Sequence, residues 1–329
     1  MTADATTPTN PTHPTSPAGP TGPAPATSGQ RPRGGRLRAV VGTLDRRLTA
    51  PGRGYRLREV HTLVALVIGL RLVTRDWSAI ADRPAALTDG LTVVSCLPDA
   101  LPAGLPVALA VLGVGGVGLV LARRRAHAGF VVAWACYAVL CALWGSSGKV
   151  LHNDVLTVWV GVPLLFASLP RPGHDHRRAV AWGWPPRAAL AVLALVYWLT
   201  GVQKLRHSGV GWALSDNMTW VLRQGVSPHA DGLAQWVADH VVVASALATG
   251  ALLLELTAPL WLAWRRTRAL FVLAVAVMHG SIWLFLGIDY SAWVLTAAAV
   301  ALPMSLAPTR RLRDAPGPLG RLVSALARA

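Results

Sequence analysis

Lysine is almost absent from this chain of 329 residues: there are two, Lys149 and Lys204, against 29 arginines. Charge of either sign is scarce as well. Asp, Glu, Lys and Arg make up 14% of the residues, while 53% are hydrophobic and the mean hydropathy is +0.44. Soluble domains of this length carry about 25% charged residues, so this balance excludes an ordinary soluble globule. Acidic residues number only 15, leaving a net charge of +16. That excess alone suggests nucleic acid. The basic residues, however, fall in short clusters between long apolar runs, with no basic stripe interleaved with exposed aromatics, so a nucleic-acid partner is excluded. Cysteine is limited to Cys96, Cys136 and Cys141. None stands in a C-x-x-C or Cys/His spacing, so no cysteine metal site is expected and the thiols read as free apolar fillers. A P-loop, a dinucleotide fingerprint, a G-x-S-x-G elbow and an H-E-x-x-H pair are all missing.

Long apolar runs are what the chain has instead. A helix crosses a bilayer with roughly 20 mostly apolar residues. Such runs lie near 59–77, 102–122, 127–147, 152–169, 188–206, 240–264, 269–288 and 290–308. They predict an all-α, polytopic transmembrane bundle of about eight helices. Residues 1–35 are Pro- and Thr-rich and are expected to be a disordered tail without a signal-peptide apolar region. Residues 36–58 form a basic juxtamembrane segment, either an amphipathic surface helix or a solvated stretch. Residues 59–308 form the membrane domain, and 309–329 a basic tail.

Charge placement sets the expected topology. With the N-terminus inside, 24 of the 31 basic residues fall on the cytoplasmic side. They are the N-terminal arginines, Arg123–Arg125, the 171–187 group, the 265–268 group and the C-terminal tail. The alternation holds at every loop, as the positive-inside rule requires. Both termini are then cytoplasmic, and the lipid bilayer is the first partner. The preference for Arg over Lys and the many alanines suggest a GC-rich bacterial genome, hence a multi-pass protein of the plasma membrane.

Ionisable groups inside apolar runs are costly and mark functional positions. Glu255 and His279 each stand ten residues from the inner end of their runs, roughly 15 Å deep. The two runs are joined by a short turn, so a Glu255–His279 pair near the midplane is expected. Nearer the outside stand Lys204, Lys149, His152, Asn153 and Asp154, with Arg71 and Asp76 on the first run. Together they outline a polar pocket opening outward. Arg serves wherever any cation will do, so the use of Lys at two places matters: lysine can lose its proton when desolvated and arginine cannot. A general base requires that property. For Lys149 a snorkelling role is the simpler reading. Trp212, Trp220 and Trp236, in the long outer segment 207–239, read as interface anchors or as stacking surfaces for a ligand. The Gly113–Gly118 run reads as a close helix-packing surface. His174 and His176, flanking Asp175, read as a solvated loop or a metal site.

Tyr197, Gly201 and Lys204 are spaced i, i+4, i+7 and share one helical face. With Leu205 following and Trp212 soon after, this stretch resembles the signature of the HTTM family, the vitamin K-dependent gamma-carboxylase-like membrane proteins, with DoxX-like proteins as neighbours. Met278-His279-Gly-Ser281-Ile-Trp283-Leu-Phe285-Leu-Gly287 resembles the family's histidine helix. Lys149-Val-Leu-His152-Asn153-Asp154 resembles its histidine-containing helix start, and Leu253-Leu-Glu255 its acidic helix. The resemblance runs from about 59 to 308. It implies a reduced quinone of the vitamin K type as substrate or cofactor, Lys204 as the base that deprotonates it, and His279 and His152 in support. Tyr197, Gly201, Glu255, Trp212, Trp283, Lys149, Asn153 and Arg71 would line the substrate pocket. Trp212 stands three residues further from the lysine than in the family pattern, and Gln203 replaces a second lysine. The chain also ends about 20 residues after its last run, so the large extramembrane domain of the animal carboxylase, and peptide carboxylation with it, is not expected. The alternative is a non-catalytic assembly factor or carrier that binds a lipid or a protein partner.

Overall fold

A computed structural model describes residues 34–82, 102, 104–145, 153–171, 173–225, 227 and 229–315. Lys149, His152, Cys96, most of the N-terminal tail and the end of the C-terminal tail lie outside the described residues. The chain divides after Leu44. The first unit contributes the start of helix α1 (Gly34–Thr49), and all remaining elements belong to the second.

The second unit begins with a two-residue strand β1 (Gly52–Arg53) and helix α2 (Gly54–Thr74). The hairpin α3 (Gly104–Leu121) and α4 (Ala126–Gly145) follows, then α5 (Val155–Leu165), strand β2 (Arg178–Ala179) and the long α6 (Val180–Ser208). Three short helices come next: α7 (Gly211–Leu214), α8 (Asn217–Gln224) and α9 (Asp231–Asp239). The chain closes with α10 (Val241–Ala263), α11 (Arg268–Leu286) and α12 (Ser291–Ser305). Each of the eight apolar runs therefore falls on a helix. Five of these, α3, α4, α6, α10 and α11, are long and apolar enough to cross a membrane. The chain is a multi-pass integral membrane protein. The other three runs are helical in a different style. α5 and α12 are apolar but only 11 and 15 residues long, and α2 carries Arg56, Arg58, Glu59 and Arg71.

Packing explains that difference. α2 contacts α3, α4, α5, α6 and α12 and so lies inside the bundle. Leu57, Val60, Val64 and Ile68 on it are completely buried. Its charges are neutralised by protein and need no lipid tolerance. The peripheral helices show the opposite pattern. Val111 on α3 and Val277 on α11 are 67% and 65% exposed. Such exposure is costly in water and suits contact with acyl chains.

The α3–α4 hairpin depends on glycine. A Cβ at Gly116 would meet the Gly129 carbonyl oxygen at 2.5 Å, so only glycine permits this crossing. Gly113 faces the movable end of the Leu72 side chain of α2 at 2.7 Å, whereas Gly115 and Gly118 face open space. The tight-packing role of the Gly113–Gly118 run thus belongs to Gly113 and Gly116.

The basic segment 36–58 does not behave as one tail. Gly52 and Arg53 pair antiparallel with Ala179 and Arg178, and Tyr55 and Leu57 are buried at the start of α2. Arg56 binds Glu59 and the carbonyls of Ala307 and Arg310. Arg58 binds Asp175 at 3.0 Å, and His176 bonds Arg311, so this loop is held by cations of its own chain. Around Arg56, Arg58, Asp175 and Arg311 the arginine-rich end is therefore knitted to its own chain, while Arg123, Arg124, Arg125 and Arg266 remain exposed.

Candidate functional site

α6 presents Tyr197, Gly201 and Lys204 on one face, as their spacing predicts, and that face meets α10. Gly201 is the reason the two helices come close. A Cβ there would stand 3.0 Å from Leu256 and 3.1 Å from the Glu255 Cβ. One turn further, the Lys204 Nζ donates to both carboxylate oxygens of Glu255 at 2.7 Å. The Glu255 side chain is 6% exposed and that of Lys204 is 24% exposed. The ring of Trp212, on α7, lies 4.3 Å from the same Nζ, which adds a cation–π contact.

This arrangement corrects the expected pairing. Glu255 is held by Lys204, not by His279, and the two supposed polar layers meet. Depth along an upright helix is set by Cα positions and leaves out the length of the side chain. A lysine stem covers about one helical turn, roughly 5 Å, so Lys204 reaches down to a carboxylate placed below it.

His279 takes a different partner. Its Nε2 lies 3.1 Å from the Tyr197 hydroxyl. Its ring stacks on Tyr290 at 4.8 Å and meets Trp293 at 5.7 Å. Tyr197 in turn packs edge-on against Phe271 and Trp293. Glu255 is within electrostatic reach of both Tyr197 and Tyr290. The ion pair and the tyrosine–histidine pair thus form one polar core in an aromatic shell.

Arg71, Asn153 and Asp154, expected in one outward polar group, do come together, bonded among themselves and to Asp289. Arg71 binds Asp154 at 2.8 Å and Asp289 at 2.8 Å. Asp154 also accepts from Arg75 and from the Tyr137 hydroxyl, the latter at 2.9 Å. Asn153 donates to the Asp289 carbonyl at 2.9 Å. The result is a buried ionic lock joining α2, α4, the start of α5 and the α11–α12 turn. Asp289 immediately precedes Tyr290, so the lock and the polar core are contiguous along the chain. Trp283 belongs to neither: it is half exposed and stacks on His229 at 4.0 Å. Asp76 is exposed and accepts from Ser78.

Asp289, Tyr290, Trp293, Tyr137 and Arg75 also belong to these clusters, although they are not among the residues expected from the sequence. One signal was available: a cation as deep as Arg71 requires a carboxylate, and Asp154 and Asp289 are the acids nearest the ends of their runs. Nothing in spacing marks the aromatic residues.

No protein-family model matches the chain, and no characterised protein or solved structure matches it either.

Proposed function

We propose that the α6–α10 seam is an acid–base site for a lipophilic hydroxyl-bearing substrate of the reduced-quinone type, as the HTTM-like residues imply. The observation that carries this reading is the Lys204 ammonium closing on both oxygens of the buried Glu255 at 2.7 Å, beneath Trp212. With the Glu255 side chain only 6% exposed, keeping its charge is costly. Passing the ammonium proton to Glu255 leaves a neutral amine. That amine takes a proton from the substrate hydroxyl, and the renewed ammonium stabilises the resulting oxyanion. Tyr197 and His279 supply a second polar pair and an aromatic wall for a flat ring. Oxygen is the co-reactant if the anion goes on to an epoxide.

The arginine-rich end of the bundle, in this reading, faces the cytoplasm of a bacterial cell and the protein lies in its plasma membrane.

The test uses purified protein in nanodiscs with reduced menaquinone and oxygen, following quinol epoxide by mass spectrometry. Product from the wild type, and none from Lys204→Ala, Lys204→Arg or Glu255→Gln, is the expected result. Full activity of Lys204→Arg overturns it, because arginine keeps its proton.

A second reading, a lipid or partner carrier without chemistry, is favoured by the full engagement of Lys204 by Glu255 and Trp212. It expects quinone binding without turnover, and Lys204→Arg to bind as the wild type does.

A further inference from the structure

Arg178, Arg187, Arg265 and Arg268, around the starts of α6 and α11, lack among the described residues the carboxylate partner that several other arginines have. Arg56, Arg58, Arg71, Arg75 and Arg223 each have a carboxylate within 3.1 Å. Arg178, Arg187, Arg265 and Arg268 form no ion pair among the described residues. They nevertheless stand together. Arg178 and Arg187 bond the successive carbonyls of Pro51 and Ala50, Arg265 and Arg268 share the turn that opens α11, and Arg268 is within electrostatic reach of both Arg265 and Arg187.

Two of these four tie their helices to neighbouring segments. Arg268 donates through Nε to the Leu262 carbonyl at 2.9 Å and through a terminal nitrogen to that of Met304. Arg187 donates to the carbonyls of Leu48 and Ala50. Both are half buried, whereas Arg178 and Arg265 are exposed. Carbonyl bonds fix the guanidinium groups but leave their charges uncompensated. Repelling cations fixed at close quarters are costly unless an anion joins them.

The surroundings indicate which anion. Trp264 is 60% exposed beside the cluster, as interfacial tryptophans are. Just below, Leu260 on α10 and Leu270 on α11 are each 56% exposed and give acyl chains an apolar wall. A charged head at the arginines and tails along these leucines are what an anionic phospholipid presents. Basic pockets between membrane helices are general sites for such heads.

We propose that Arg178, Arg187, Arg265 and Arg268 form a binding site for the phosphate of an anionic phospholipid in the adjoining leaflet. The site is separate from the Lys204–Glu255 core and does not depend on what that core does.

The test compares retained phosphatidylglycerol and phosphatidylcholine by native mass spectrometry of the full-length protein in detergent. Wild type should retain phosphatidylglycerol selectively. Arg178→Gln and Arg265→Gln avoid the two arginines that tie helices together, and each should weaken retention about fivefold. The control is Arg123→Gln/Arg124→Gln/Arg125→Gln, which removes three charges at the other basic hairpin; it should leave retention unchanged. Equal loss in that control overturns the proposal, because surface charge would then suffice. So does unchanged retention in Arg178→Gln/Arg265→Gln. Displacement of the lipid by millimolar inorganic phosphate would assign the cluster to a soluble phosphate instead and also overturn it. Unchanged thermal melting of the variants checks that folding is intact.

Discussion

Lys204 and Glu255 meet across the α6–α10 seam only because Gly201, one turn before the lysine, has no side chain. The ammonium lies 2.7 Å from each carboxylate oxygen, and a Cβ on Gly201 would press on the Glu255 Cβ at 3.1 Å. The glycine and the ion pair are therefore one device. Gly201→Val is expected to cost about 1–3 kcal/mol by overpacking and to lower any activity at the site. Thermal melting in detergent measures the first effect and turnover the second. Unchanged melting would show that the seam can widen freely.

The pair itself can be weighed with a double-mutant cycle. Glu255→Gln strands an ammonium, and Lys204→Met strands a buried carboxyl; each should lose about 2–3 kcal/mol. The combination Lys204→Met/Glu255→Gln should recover most of that loss, because both stranded groups are gone. Additive losses in urea or thermal unfolding would mean the two residues act independently.

Asp154 is the centre of the ionic lock, receiving Arg71, Arg75 and Tyr137 while its side chain is only 4% exposed. Asp154→Asn leaves two guanidinium groups short of charge in a closed site. The expected loss is about 3–5 kcal/mol. Asp289→Asn removes a partner whose side chain is 50% exposed, and about 0.5–1 kcal/mol is expected there. The ratio between the two variants, read from melting curves, is the discriminating quantity.

Acid should act on Asp289 in a defined direction. Burial pushes its carboxyl up, but bonds from Ser291 and Arg71 outweigh this and hold it below the ordinary 3.8. A carboxyl depressed on folding stabilises the protein above its unfolded value, and this stabilisation is lost as pH falls through the folded one. Below pH 3.8, wild type should therefore lose melting temperature more steeply than Asp289→Asn. Parallel curves would remove Asp289 from the acid response.

Three glycines on α3 give a packing test. Gly116→Ala must displace backbone at 2.5 Å, whereas Gly115→Ala and Gly118→Ala meet nothing within 4 Å. The first should destabilise by about 1–3 kcal/mol. The other two should be neutral or gain up to about 1 kcal/mol from helix propensity. Melting of the three single variants decides it.

The sequence by itself determined that this is an all-α membrane protein, where its apolar helices run, and which ionisable groups stand inside them. Those properties follow from local chemistry, since a backbone in hydrocarbon must bond to itself and a stretch of about 20 apolar residues suffices to hold it there. It also placed Tyr197, Gly201 and Lys204 on one face, because helical periodicity is local. Only the tertiary structure decided who pairs with whom. Residue counting put Lys204 and Glu255 in different layers and joined Glu255 to His279. Side-chain reach and the Gly201 crossing instead gave Glu255 to Lys204 and His279 to Tyr197. Arg71 meets Asp154 within the expected outward group, but its second partner Asp289 comes from the α11–α12 turn, because partner choice depends on which helices adjoin. In this bundle that is set by glycine contacts and buried charge rather than by any spacing along the chain.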